Sequence, residues 1–176
     1  MDVETVLCHR MIGYFGFDAK RIHHALKVVG FARAIAGGED LPADLLQVLV
    51  AAAFLHDIGI HEAERKYGST AGKLQEKEGP AVARTLLDGL DLPDGFVERV
   101  CFLVGHHHTY AAIDGPDFQI LVESDFLVNV LEEDMDAAEI QAVGRKVFRT
   151  ATGIGLLGRI HGYNPSMAVS ADEADG

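Results

Sequence analysis

The stretch "LLQVLVAAAFL" at residues 45–55 carries one polar side chain, Gln47. A helix that is apolar on every side has no face to give to water, so it has to be the centre of something larger. The rest of the 176-residue chain must therefore be arranged around it. This stretch runs directly into "HDIGIH", so His56 and Asp57 extend the greasiest helix of the sequence. An unpaired buried carboxylate is costly enough that it neutralises, pairs or binds a metal.

Elsewhere the apolar positions recur at helical spacing, and alternating β-branched runs bounded by turns are missing, which predicts an all-α fold. Helices are expected at about 3–13, 18–36, 42–58, 76–90, 94–108, 117–132, 136–149 and 152–161. The punctuation fits. "GGED" closes the second, Pro42 opens the third, and "DLPDG" and "IDGP" separate later helices. No internal repeat or linker divides the chain, so one helical domain is expected over 1–164. The segment 165–176 ends in the acidic, aperiodic "SADEADG" and is expected to be a disordered tail.

The formal charge of −12 argues against coating extended nucleic acid or an anionic membrane, both of which reward basic patches. It also means that an anionic substrate would need a local positive centre. Cys8 and Cys101 are too few for a disulfide framework and read as reduced thiols. No signal-like opening is present and no apolar run reaches the ~18 residues of a membrane span, so a cytoplasmic protein is the expectation. Seven of the nine histidines are clustered, at 23–24, 56 and 61, and 106–108.

Residues three and four apart share a helix face. His24 aligns with Val28, Phe31, Ala32 and Ile35, an apolar stripe, whereas His23 aligns with Lys27, Gly30 and Ala34. Asp125 aligns with Phe118, Leu121, Val122 and Val128. His24, His56, Asp57 and Asp125 thus come from three helices and face one interior. One divalent cation satisfies all four, and imidazole with carboxylate suits Mn, Fe, Co, Ni, Mg or Zn. In the triplet, His106 shares a face with Arg99 and Phe102, and His107 with Phe96, Val100 and Leu103. The stripe favours His107 inward, and both stay candidates.

Four segments carry a resemblance: "HALKVVGFARAIA", "AAAFLHDIG", "VCFLVGHHHTY" and "ILVESDFLVNVLEE". In this order, over about residues 21–133, they resemble the HD-domain family of metal-dependent phosphohydrolases. The resemblance implies an α-helical bundle, metal ligation by His24, His56, Asp57 and Asp125, and cleavage of a phosphomonoester or phosphodiester, most plausibly of a nucleotide. It permits His106 as well as His107 as a further ligand. Members with two metals usually carry another histidine where this chain has Gln75, so a second site lacks that ligand here. Many members also have lysine where Ile60 follows "HDIG".

A bound divalent ion would hold a phosphate oxygen and lower the pKa of water toward ~7. Positive groups for the phosphate are sought in "HEAERKYGSTAGKLQEK", which holds Arg65, Lys66, Lys73 and Lys77 around a Gly-rich turn. Segments of this kind are more often simply solvated. For proton transfer the candidates are Asp57, Glu62 and Glu64, with His61 beside the metal; His108 and His161 read as surface or outer residues. "GSTAGK" is not a phosphate loop, because it has three residues between its glycines and Leu74 after the lysine. Two rivals stand: a di-iron oxygenase of related fold, and a non-catalytic nucleotide-binding regulator with a structural metal. Apolar residues to spare on the last two helices point to a homodimer.

Overall fold

A computed structural model describes residues 2–168. Its helices are α1 (Val3–Phe15), α2 (Ala19–Gly38), α3 (Ala43–Leu55), α4 (Ile60–Tyr67), α5 (Gly72–Leu87), α6 (Phe96–Val104), α7 (Pro116–Glu132), α8 (Ala137–Val147) and α9 (Ala151–His161). Short 3-10 turns cover Tyr110–Ala112 and Pro165–Ala168. No strand occurs among the described residues, in agreement with the all-α reading.

The apolar run behaves as its composition requires. Every residue of α3 from Val48 to Leu55 is buried. Helices α1, α2, α6 and α7 pack around it, and α2 lies along α7. α4 and α5 form an outer pair, α5 also leans on α6, and α8 and α9 cover α7. By length and hydropathy the stretch Ala43–Tyr67 would pass as a membrane span, contrary to the sequence expectation that no run is long enough. In the fold it is two helices, and 67% of its most apolar window is buried against the bundle. That is the signature of a core helix.

Local chemistry fixes the helix starts. Asp2 accepts from Thr5 N, Asp18 from Arg21 N and Thr150 from Gly153 N. Asp136 and Glu139 form a reciprocal capping box at α8. Glu123 is fully buried on α7 and caps the approach to α9: Arg149 N (2.6 Å), Thr150 N (2.9 Å), Gln119 Nε2 (2.7 Å) and the Thr150 hydroxyl all donate to it.

Two sequence expectations need correction. The charged segment after the His-Asp pair is not an open loop, because Ile60–Tyr67 is helix α4. Ile60 and Ala63 turn inward, the charged residues turn out, and Gly68 ends the helix in the left-handed region (φ 65°). The sixth helix stops at Val104, four residues early, so His106–His108 sit on the turn beyond its cap at Gly105. Of the expected tail, 165–168 forms the 3-10 turn just described, and "SADEADG" falls outside the described residues.

Candidate metal centre

The four donors of the candidate site come from three parts of the bundle. α2 supplies His24, the turn at the end of α3 supplies His56 and Asp57, and α7 supplies Asp125. The turn is held close to α5 at Gly59. A Cβ there would lie 2.3 Å from Gln75 O and 2.6 Å from Gly79 N, so only glycine lets the His-Asp turn sit so near the α5 backbone.

The donor atoms converge. His24 Nε2 lies 3.1 Å from His56 Nε2 and 3.1 Å from Asp125 Oδ1. Asp57 Oδ2 is 3.7 Å from both imidazole nitrogens, and His56 Nε2 is 3.6 Å from Asp125 Oδ1. Donors that share one ion at ~2.1 Å stand about 3.0–3.4 Å apart, so this spacing is near what a common cation would impose. Asp57 uses its other oxygen on a different neighbour, since Oδ1 is 3.5 Å from His107 Nε2. Asp57, His107 and His108 form a second group able to hold a cation, so Asp57 stands between two donor sets.

The other ring nitrogens settle which ones are free. His56 Nδ1 donates to Ala53 O (2.9 Å) and His107 Nδ1 donates to Val104 O (2.9 Å). A carbonyl only accepts, so Nδ1 carries the hydrogen in both rings and Nε2 is the nitrogen turned toward Asp57. The Nε2 atoms of His107 and His108 are buried without any hydrogen-bond partner. Orphaned imidazole nitrogens beside a carboxylate are what a divalent cation would satisfy. The residues present therefore fit a metal.

The charges are strongly coupled. Burial disfavours a charged His24, but the hydrogen bond and charge of Asp125, with Asp57 and Glu132, raise its pKa to about 9. Its Nε2–H then lies between Asp125 and the His56 lone pair, a proton where a cation would sit. Burial lowers the pKa of His56 and, together with His107, takes that of His108 down to about 4. For His107 burial acts the same way, yet the Asp57 carboxylate overrides it and the pKa rises. Burial of Asp125 and partial burial of Asp57 oppose their charge, but neighbouring imidazoles hold both carboxyls below the usual range.

Other residues singled out from sequence are distributed differently. His106 donates from Nδ1 to Phe102 O (2.7 Å) and stacks on the Phe102 ring, 4.4 Å between centroids. Gln75 is buried with its amide donating to Thr70 O (2.6 Å) and belongs to neither donor group. His61 bonds Asp18 Oδ2 (3.1 Å) and stacks on Tyr14. Glu62 pairs with Arg65, and Lys66 with Glu78 and Glu62; with Tyr14, the residues Glu62, Lys66 and Glu78 line a shallow recess that includes no cluster residue. Lys73 is exposed, one residue past Gly72, whose Cα abuts the His108 ring. Among the described residues Lys73 has no ion-pair partner.

Sequence reasoning passed over two residues that stand at the cluster and a third one turn away from it on α2. His108 joins the second donor group. Glu132 accepts from His24 Nδ1 at 3.0 Å. Arg21, one turn before His24, bonds Glu64 (3.1 Å) and approaches Asp18 (3.3 Å). The i−3 and i+7 offsets of Arg21 and Glu132 from His24 and Asp125 were the available signals.

A family model described as "HD domain" matches residues 21–143. A crystal structure of a predicted HD superfamily hydrolase from an uncultured Thermotogales bacterium is similar in fold, with a TM-score of 0.62 and 23% identity over 89% of this chain and 83% of that one. No curated protein matches the chain.

Proposed function

The chain belongs to the HD domain family, and on that footing we propose that it is a metal-dependent hydrolase cleaving a phosphomonoester or phosphodiester, most plausibly of a nucleotide. The observation that carries this reading is the convergence of His24, His56, Asp57 and Asp125 from three parts of the bundle, with the two imidazole Nε2 atoms 3.1 Å apart and each 3.1–3.7 Å from both carboxylates. His24, His56, Asp57 and Asp125 would hold one ion, and Asp57, His107 and His108 a second. When bound, such an ion supplies Lewis-acid polarisation of a phosphoryl oxygen and a water acidified toward neutral pH.

The protein's own part is positioning. Asn129 Nδ2 donates to Asp125 Oδ1 (3.0 Å), which orients that carboxylate. Glu76 accepts from His108 N (3.0 Å) and the Thr109 hydroxyl (2.9 Å), which pins the histidine turn to α5. Asp57 keeps partial solvent access while His56 is fully buried, so the side of the cluster open to a substrate is the Asp57 side. Lys73 is the predicted cation best placed to meet an anionic ester, because it lies next to the residue that packs on His108. Arg65 and Lys66 are already neutralised by acids. The two free cysteines fit a reducing, cytoplasmic setting.

The test is elemental analysis of freshly purified protein coupled to a phosphate-release screen on nucleotides with Mn, Co, Ni and Mg. Asp57→Ala should lose metal and at least ~100-fold of activity, because it removes a donor from both groups. Full retention of both would sink the proposal. The second donor group also keeps the di-iron reading in play. Anaerobic iron loading followed by air exposure discriminates, since an optical change driven by oxygen would favour an oxygenase.

A further inference from the structure

The three histidines nearest Asp57 are not oriented in the same way. His56 and His107 each donate Nδ1–H to the carbonyl three residues earlier, at 2.9 Å, so a neutral dipole within their own turn fixes the ring. His24 instead donates Nδ1–H to a carboxylate, Glu132 Oε2, at 3.0 Å. Glu132 is the last residue of α7, and its side chain is mostly buried. Its other oxygen, Oε1, accepts from Lys27, which lies one turn after His24 on α2 and is half exposed. The order is therefore solvent, Lys27, Glu132, His24 and the donor cluster.

We infer that Glu132 is a positioning residue for the metal, acting through His24, and that Lys27 restrains it. The carboxylate holds the tautomer that presents Nε2 and pushes electron density into the ring, which makes His24 the most strongly donating imidazole of the cluster. Lys27 withdraws part of that density by neutralising the far oxygen. The two side chains thus act on the metal in opposite directions although both join α2 to α7. A purely structural bridge would behave otherwise, because losing either end of a bridge has the same effect.

The inference rests on the metal reading and is tested with Co2+ alone, titrated into the full-length chain freed of metal and followed by the visible cobalt spectrum. Glu132→Gln keeps the size and removes the charge, and should weaken Co2+ binding roughly 10- to 100-fold with unchanged helical circular dichroism. Glu132→Asp should recover part of that loss. Lys27→Met should leave the affinity within about 2-fold of the parent or raise it. Glu132→Gln binding as tightly as the parent, or Lys27→Met losing as much as Glu132→Gln, overturns the inference. Failure of the unsubstituted chain to bind Co2+, or unchanged binding in Asp57→Ala, overturns the metal reading beneath it. The two failures are therefore distinguishable.

Discussion

In the metal-free protein the cluster holds a proton where the ion would sit, and loading must expel it. His24 carries that proton, with its pKa moved from the ordinary 6.5 to about 9. A metal competing with one such proton has an apparent affinity divided by 1 + 10^(pKa − pH). Between pH 6.5 and 8.5 the divisor falls enough to raise affinity about 75-fold, against about 2-fold for an unshifted histidine. Isothermal titration of Mn2+ into the apo protein, in buffers of different ionisation enthalpy, measures both quantities. The first equivalent should release about one proton at pH 7 and about three quarters of one at pH 8.5. His56 and His108 contribute none, because burial already keeps them neutral. The Asp57 carboxylate raises the His107 pKa against burial, so affinity for a second equivalent should also rise with pH. The sign for folding runs the opposite way to affinity. A histidine with a raised pKa stabilises the apo fold fully below about 6.5, and that contribution fades as pH climbs through 9. Apo stability in urea should therefore fall across this window while metal affinity rises. An affinity gain near 2-fold, or a first equivalent that binds without proton release, would refute the assignment of the proton to His24.

Two further outcomes concern the frame. Glu123→Ala strands Arg149 N and Thr150 N at the approach to α9, and should cost about 3 kcal/mol in urea denaturation. Gly59→Ala places a methyl against the α5 backbone at 2.3 Å from Gln75 O, and should cost about 2 kcal/mol or more while weakening metal binding through the adjacent His-Asp turn, read in the same Mn2+ titration. A neutral Gly59→Ala would mean that α4 and α5 are free to separate.

The legibility of the chain varied with the range of the forces involved. α3 could be read outright, because a helix apolar on all sides admits one placement. His24 and Asp125 were legible because each lies inside a long helix whose stripe extends on both sides. α4 was not, since only Ile60 and Ala63 of its eight residues face inward and two apolar positions make no periodicity. His108 was misplaced for a geometric reason. The helical stride was carried past Gly105, but the helix had ended at Val104, and the turn beyond it aims His107 and His108 toward Asp57 together. Glu132 reads locally as a charged residue at a helix end, and what makes it special, His24 Nδ1, lies 108 residues away. Contacts of that kind are set by packing, which no local pattern encodes.

The distance along the chain between donors has a consequence for how the protein is made. His24 and Asp125 meet across 101 residues, with α3 to α6 in between. During synthesis from the N-terminus, His24 and the His-Asp turn emerge well before the aspartate that completes their set. Until α7 docks, a ribosome-bound chain offers these donors only as a loose, partial chelate, and closing so long a loop is entropically costly. On the metal reading, capture at the His24 group would therefore be a late event, coupled to the docking of α7 on α2, whereas Asp57, His107 and His108 precede α7 in the chain. Chains cut short before Asp125 should emerge unable to retain an ion at the His24 group.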